Sequence, residues 1–314
     1  MALRIAYFSY GNNIIIDDII YPDGHARMGI LGGGSTYAAA GMRVWARGIG
    51  IVAGTGSDFP KAYRDHLERL DIDLTGLLVR AFPTPRAWQV LEPDGRRSET
   101  FQTDFSQFGH LLPTPIEVPQ SYLNATGVHF FDFGDYSEVE RLRSSFGNKI
   151  LLWEPYLPPS SGATLDSMAA ALPYVDIFAP GYDEAQRLCS TDGLLMITSQ
   201  ILDCGVAIAV IRMGGQGSVI RTRGMGGMVQ LPSYSTEVVD PIGAGNAYCG
   251  GFLVGYCETR DILTAGLYGT VAASFMVEQV GLPPAITETT SREAEARQSW
   301  LRQHIDEWAQ VRRK

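Results

Sequence analysis

The sequence predicts an α/β protein in which a mostly parallel sheet lies between two layers of helices and carries a small β lid. Three observations predict this. From residue 128 onward, short apolar, β-branched segments alternate with helical patterns, the rhythm of a parallel sheet covered on both faces. Between residues 74 and 102 that rhythm gives way to short strands alone, as expected of a small β insertion. Glycine supplies 35 of the 314 residues, above the usual share of ~7%. These glycines are scattered among apolar segments, as tight turns and close backbone approaches require.

Taken in order, residues 3–8 and 13–20 read as apolar strands separated by Gly11 and Asn12. Residues 32–34 form a tight turn opening a small-residue helix over 35–45, followed by a buried strand at 49–53. A helix is expected over 58–70, N-capped by Ser57 or Asp58. Segments 77–80, 87–91 and 97–102 are strand-like, the last two joined across Pro93-Asp94-Gly95, a hairpin signal. Strands then fall at 128–132, 149–153, 175–178 and 206–212, with helices over 137–146, 163–172, 183–189 and 194–203 between and beside them. Segments 217–221 and 228–231 form a hairpin over the turn at 224–227, and helices over 244–258, 262–279 and 291–310 finish the chain, the last an amphipathic cover. The expectation is one domain over 1–314, its lid built mainly from 74–102 with part of 13–30.

Composition excludes several functions. The formal net charge is -9, which opposes a nonspecific nucleic-acid binder. No G-x-x-x-x-G-K-S/T segment occurs, so there is no P-loop. Only Lys61, Lys149 and Lys314 are lysines, and neither Lys61 nor Lys149 has a context suggesting Schiff-base chemistry. Cys189, Cys204, Cys249 and Cys257 show no C-x-x-C spacing and are read as buried free thiols. The histidines show no i,i+4 pair, which argues against zinc, and G-x-S-x-G is absent. No apolar run approaches the ~18 residues of a membrane span, and the start MALRIAYFSY lacks a secretory layout. The expectation is a soluble, cytoplasmic protein whose partner is a small molecule, with no nucleic acid and no membrane.

The most informative stretch is Val238-Val239-Asp240-Pro241-Ile242-Gly243-Ala244-Gly245-Asn246. A β-prone pair ends at Asp240, a proline turn follows, and Gly-Ala-Gly opens a helix of small residues. The free N–H groups of a helix's first turn, backed by its dipole, make an anion hole that glycine lets a phosphate approach. The same glycines also suit a plain strand-to-helix turn. Asp17 and Asp18 lie mid-strand, where the period of two turns one of them inward. Arg96 and Arg97 follow the hairpin turn as solvated residues, and Trp45 and Trp153 read as core.

This stretch resembles the second signature of the ribokinase/PfkB carbohydrate kinase family, roughly D-T-x-G-A-G-D, and the resemblance runs along nearly the whole chain. Asp17 matches the family's ligand for substrate hydroxyls, and Gly32-Gly33-Gly34-Ser35-Thr36-Tyr37 its di-glycine segment closing the sugar site. Gly54-Thr55-Gly56-Ser57-Asp58 matches its G-x-x-G-x-D turn. Ala179–Glu184 falls where the family has P-N-x-x-E, Arg212–Gly217 where it has its nucleotide-side K-x-G-x-x-G. The resemblance implies a ribokinase-like fold, ATP and magnesium as cofactors, and a polar substrate. It implies Gly243, Ala244 and Gly245 at the transferred phosphate, Arg212, Gly214 and Gly217 at the nucleotide, and Glu184 and Asp240 toward magnesium. Asp17, Gly32, Gly33, Tyr37 and Glu154 fall at the substrate. Edge strands of such a lid invite a homodimer.

The departures carry as much information. The family's catalytic Asp is here Asn246, which is neutral and cannot take a proton. Its N-x-x-E reads Gly181-Tyr182-Asp183-Glu184, its substrate-side Asn reads Tyr37, and Trp153-Glu154-Pro155 stands where many members carry Asp-Pro-Asn. A fungal branch of the family shows similar segments. Three readings follow. One is a phosphotransferase acting on a sugar, a nucleoside or an already ionised carboxylate, its base replaced by Asn246. Another is an enzyme repurposed for a lyase, cyclase or hydrolase reaction in the same pocket, and the third a non-catalytic nucleotide- or metabolite-binding pseudokinase. If only the base is missing, Asn246→Asp restores phosphorylation.

Overall fold

The computed structural model describes residues 4–93, 97–132 and 136–311. The chain opens with strands β1 (Tyr7–Asn13), β2 (Ile15–Ile20) and β3 (Ala26–Gly32), then helix α1 (Gly34–Trp45). There follow β4 (Ile49–Gly56), α2 (Lys61–Arg69), β5 (Ile72–Arg80), β6 (Arg86–Leu91), β7 (Arg97–Phe101) and α3 (Phe105–Leu111). The middle alternates β8 (Gly127–Asp132), α4 (Ser137–Phe146), β9 (Ile150–Pro155), α5 (Leu165–Met168), β10 (Ile177–Phe178), α6 (Tyr182–Cys189), α7 (Leu194–Asp203) and β11 (Ile208–Arg212). The chain ends on β12 (Ser218–Thr222), β13 (Val229–Leu231), α8 (Ala244–Thr259), α9 (Ile262–Met276) and α10 (Glu288–Val311).

Nine strands form one sheet in the order β13-β12-β11-β10-β9-β8-β1-β4-β5. From β11 to β5 every neighbouring pair is parallel, and β12 and β13 close one edge antiparallel. Every residue of β4 and β9 is buried, as a sheet covered on both faces demands. The side chains sort by pleat. Leu152 packs with α1, α8 and α9 on one face, while Leu151 and Trp153 pack with α4, α6 and α7 on the other. This is the expected three-layer α/β/α architecture. Among the described residues no helix is long and apolar enough to cross a membrane.

A second sheet of four strands runs β3-β2-β6-β7. Its inner pair, β2 and β6, is parallel, and both outer pairs are antiparallel. β6 and β7 pair Leu91 with Arg97 as the hairpin signal predicts, although Asp94, Gly95 and Arg96 lie outside the described residues. Only the fully buried Ile14 separates β1 of the large sheet from β2 of the small one.

Several boundaries differ from the sequence reading. Residues 74–80, expected in the small β unit, belong to β5 and pair parallel with β4 in the large sheet. Strand β1 runs through Gly11 and Asn12, where a break was expected. The helix expected from 58 begins at Lys61 after Pro60. The Asp58 carboxylate is used elsewhere, accepting from Thr84 N at 2.6 Å and Thr84 Oγ1 at 2.7 Å, which ties the β4 exit to the β6 entry. The helix expected over 163–172 shrinks to α5 and a short turn at Leu172–Tyr174, where Pro173 lacks the N–H a longer helix needs.

Candidate active site

Two cavities meet at the C-terminal ends of the parallel strands, the edge where open α/β sheets bind ligands. The first, of about 320 Å³, lies between the small sheet and the large one. Asp17, Gln89, Arg97 and Glu99 line it from the small sheet; Glu154, Arg212, Gly243, Gly245 and Asn246 line it from the large sheet and the start of α8. The second, of about 290 Å³, is predominantly apolar and runs between the Gly214–Gly217 turn and helix α9. Arg212, Pro241 and Gly245 line both.

Helix α8 begins at this junction. Gly243 is its N-cap at φ 79°, and no side chain caps the first-turn N–H groups. Position 243 admits only glycine, because a Cβ there would sit 2.2 Å from the Tyr37 ring as well as strain the backbone. The uncapped 16-residue helix thus directs its free N–H groups and positive dipole end at the meeting point of the cavities. The Arg212 guanidinium lies against the same turn, with Nη1 only 2.3 Å from where a Cβ on Gly245 would be.

Beneath this turn lies a buried polar network. The Glu154 carboxylate, 2% exposed, pairs with Arg212 through Oε1 and accepts from His129 Nε2 at 2.8 Å through Oε2. The Asn246 and Cys249 side chains stand against it as well. His129 Nδ1 lies 2.8 Å from Ser9 Oγ. The register explains this assembly: Ser9 of β1 stands directly opposite His129 of β8, and His129 opposite Leu152 of β9, with Glu154 two residues on along the same face. Burial alone would raise the Glu154 pKa, but Arg212, His129 and Asn246 together hold it below the usual carboxylate value. His129, Glu154 and Cys249 bring ligand atoms within 4.8 Å of one another, a spacing a metal could use. The guanidinium on the same carboxylate makes the cluster an ion-pair network instead.

At the far end of the first cavity the balance reverses. Asp17 is 3% exposed, and burial pushes its pKa up to about 7. Its carboxylate lies against Gly32, where a Cβ would fall 1.8 Å from Oδ2. Gln89 Nε2 donates to Asp17 Oδ1 at 2.9 Å and to Glu99 Oε1 at 2.6 Å. Two acceptor-only carboxylates fix the amide with its NH₂ toward them, which leaves Gln89 Oε1 buried without a partner, as is the Tyr37 hydroxyl. Phe101, Phe131 and Tyr156 form an aromatic wall beside this end, with ring centroids of Tyr156 6.3 Å from Phe101 and 6.1 Å from Phe131.

Of the residues singled out from sequence, Asp17, Gly33, Tyr37, Glu154, Glu184, Arg212, Gly243, Gly245 and Asn246 line the first cavity, and Arg212, Gly214, Gly217, Ala244 and Gly245 the second. Gly32 supports Asp17 without lining either cavity. Both Asp17 and Asp18 are buried, where one was expected inward: Asp18 accepts from Gly29 N at 2.8 Å, Gln102 Nε2 at 2.9 Å and Arg86 Nη2 at 3.2 Å. Arg97, read as solvated, is exposed yet lines the cavity. Glu184 accepts from Gly181 N at 2.7 Å and Leu157 N at 3.1 Å, and burial raises its pKa. Asp240 is fully buried and lines neither cavity; Oδ1 accepts from Ile242 N at 3.0 Å and Oδ2 has no partner. It braces the proline turn behind the cavities, whereas the resemblance would turn it into them toward magnesium.

Gln89, Glu99, His129, Ser9 and Cys249 were not expected at the site. Gln89 carried a signal: in the alternation of β6, Ala87, Gln89 and Leu91 are the buried set, and a polar residue in an inward apolar register marks a pocket.

The description of a pfkB family carbohydrate kinase matches residues 32–289. The chain belongs to that family. It is 28% identical to a nucleoside kinase of Methanothermobacter thermautotrophicus, over 91% of this chain and 92% of that protein. Among solved structures, a nucleoside kinase of Burkholderia thailandensis in complex with ADP-inosine superposes with a TM-score of 0.73 at 18% identity, covering 94% of this chain and 96% of the other. A putative ribokinase II of E. coli in complex with ATP and Mg²⁺ gives a TM-score of 0.73 at 19% identity, covering 93% and 98%. The pfkB-family chain therefore has the ribokinase fold.

Proposed function

We propose that the protein transfers the γ-phosphoryl group of ATP to a hydroxyl of a neutral, polyhydroxylated small molecule, a nucleoside or a sugar. The observation that carries this reading is the junction of the two cavities at the uncapped start of α8, with Arg212 on the shared wall. The predominantly apolar second cavity suits a nucleotide's base and ribose, which leaves its phosphates at the junction. The first cavity suits an acceptor. Its Asp17 end offers the Asp17 carboxylate and Gln89 Oε1, both acceptors that substrate hydroxyls can satisfy, and its aromatic wall suits a heterocycle. A carboxylate acceptor is disfavoured, because Asp17, Glu99, Glu154 and Glu184 face only Arg97 and Arg212 around this cavity.

Phosphoryl transfer has a loose transition state, so positioning and charge stabilisation dominate over proton removal. Asp17 and Gln89 hold the acceptor, while the α8 N–H groups and Arg212 receive the charge on the transferring group. The hydroxyl proton leaves late, to the transferred phosphate. Magnesium, when bound, neutralises the phosphate charge; Glu184, a carboxylate on the cavity wall already holding two backbone N–H groups, fits a ligand acting through water.

Without a general base the reaction runs slower by about 10²–10⁴-fold than with one. The test is ADP release from ATP and magnesium with ribonucleosides, free pentoses and hexoses, and carboxylic acids offered in parallel. Nucleosides or sugars are expected to stimulate release and the acids to do nothing. Turnover of an acceptor without nucleotide would replace this reading with a repurposed reaction.

A further inference from the structure

The pairing of Glu154 with Asn246 has no counterpart in the loss of a base alone. A carboxylate offers about four lone-pair sites. Arg212 and His129 hydrogen-bond the two oxygens of Glu154, and the Asn246 and Cys249 side chains stand against it. Paired in this way it is a poor proton acceptor and a rigid anchor. It also fixes the amide of Asn246, since an ionised carboxylate only accepts. Nδ2 is the only donor Asn246 can turn toward Glu154. An aspartate at this position would instead set two carboxylates in contact. Arg212 could not relieve them, being already shared between Glu154 and Glu184, with Nη2 3.7 Å from Glu184 Oε2.

We infer that Glu154 is a positioning residue, which locks the Asn246 amide and the Arg212 guanidinium at the junction of the two cavities and whose charge requires a neutral side chain at position 246. The site's fixed carboxylate stands on strand β9 instead of on α8, and the neutral residue at the helix start is its complement. In its catalytic consequence this rests on the phosphotransfer reading; in its electrostatics it does not.

The experiment uses wild type, Asn246→Asp, Glu154→Gln and the double variant. The first readout is the thermal midpoint from pH 5 to 9, which needs no ligand. Contact with Glu154 raises the folded-state pKa of the carboxyl group introduced by Asn246→Asp above its unfolded value, so stability falls as pH rises between the two. Asn246→Asp is expected to lose stability toward neutral pH, relative to wild type, and the double variant to lose that dependence. If Glu154→Gln does not fold, Asn246→Ala replaces it as comparison, expected to keep the wild-type pH profile that Asn246→Asp bends. A wild-type profile in Asn246→Asp overturns the inference. The second readout is ADP release with the best acceptor. Asn246→Asp alone is expected to give no gain, and the double variant at least a tenfold gain over it. A tenfold or greater gain in Asn246→Asp alone overturns the inference. If no variant releases ADP with any acceptor, the phosphotransfer reading fails, and the unfolding profiles still decide the role of Glu154.

Discussion

The two ends of the first cavity are built on opposite principles. At the α8 end the carboxylates are paired: Glu154 has Arg212 and His129, and Arg212 also reaches Glu184, its Nε alone lacking a partner. At the small-sheet end acceptors outnumber donors, with Gln89 Oε1 and the Tyr37 hydroxyl buried and unpaired and the Asp17 pKa lifted by burial. The end proposed to meet the phosphates has its charges paired within the protein. The end proposed to meet the acceptor has buried polar groups left for a ligand to complete. Buried polar groups normally find partners, so Gln89 Oε1 and the Tyr37 hydroxyl are the groups expected to select the proposed acceptor.

Four measurements test that contrast, beginning with the largest effect. Arg212→Met strands Glu154 and Glu184 without their cation, and breaking such a buried pair costs about 3–5 kcal/mol. Urea unfolding without ligands should show it; a loss below about 1 kcal/mol would mean that the α8 end is not held by charge. Asp17→Asn removes a charged partner of the acceptor, worth about 1.5–3 kcal/mol or roughly 10–150-fold in acceptor affinity. Calorimetric titration measures it, and nucleotide affinity should not change.

The third measurement is pH dependence. The folded-state pKa of Asp17, about 7, lies above its ordinary value of 3.8, so ionising Asp17 destabilises the fold. Its contribution is neutral below about pH 4 and turns progressively unfavourable as pH rises toward 7. Acceptor binding runs the other way: a ligand that donates to the ionised carboxylate should tighten about tenfold per pH unit up to about 7. In Asp17→Asn both slopes should vanish. The smallest effect is Gln89→Leu, expected to weaken acceptor binding by about 1 kcal/mol. A loss as large as that of Asp17→Asn would make the amide, and not the carboxylate, the main contact.

The contrast also marks what the sequence made legible. Strand and helix rhythm placed the large sheet, and the glycine-flanked run placed the start of α8, where the two cavities meet, because both are local patterns. Asp17 and Gln89 carry a local signal too, as polar residues in buried strand registers. The Ser9–His129–Glu154 network does not. It arises from the register between β1, β8 and β9, strands more than a hundred residues apart at the extremes, and no periodicity within one segment reports which residues stand opposite. The placement of residues 74–80 failed for the same reason: a strand's own sequence names its conformation and leaves its neighbour open.

Ile14 joins the two sheets. Asp17 lies three residues beyond it, and Gly33, between β3 and α1, is the small sheet's other nearby attachment. Asp17 therefore sits close to where β2 leaves the large sheet, with Gln89 and Glu99 beside it on the next two strands of the small sheet. The Gln89 amide ties Asp17 to Glu99, so the three strands present these groups as one connected set. The carboxylate proposed to hold the acceptor thus stands three residues from the covalent joint between the two sheets, so a substitution that alters the joint at Ile14 is expected to alter acceptor binding as well as stability.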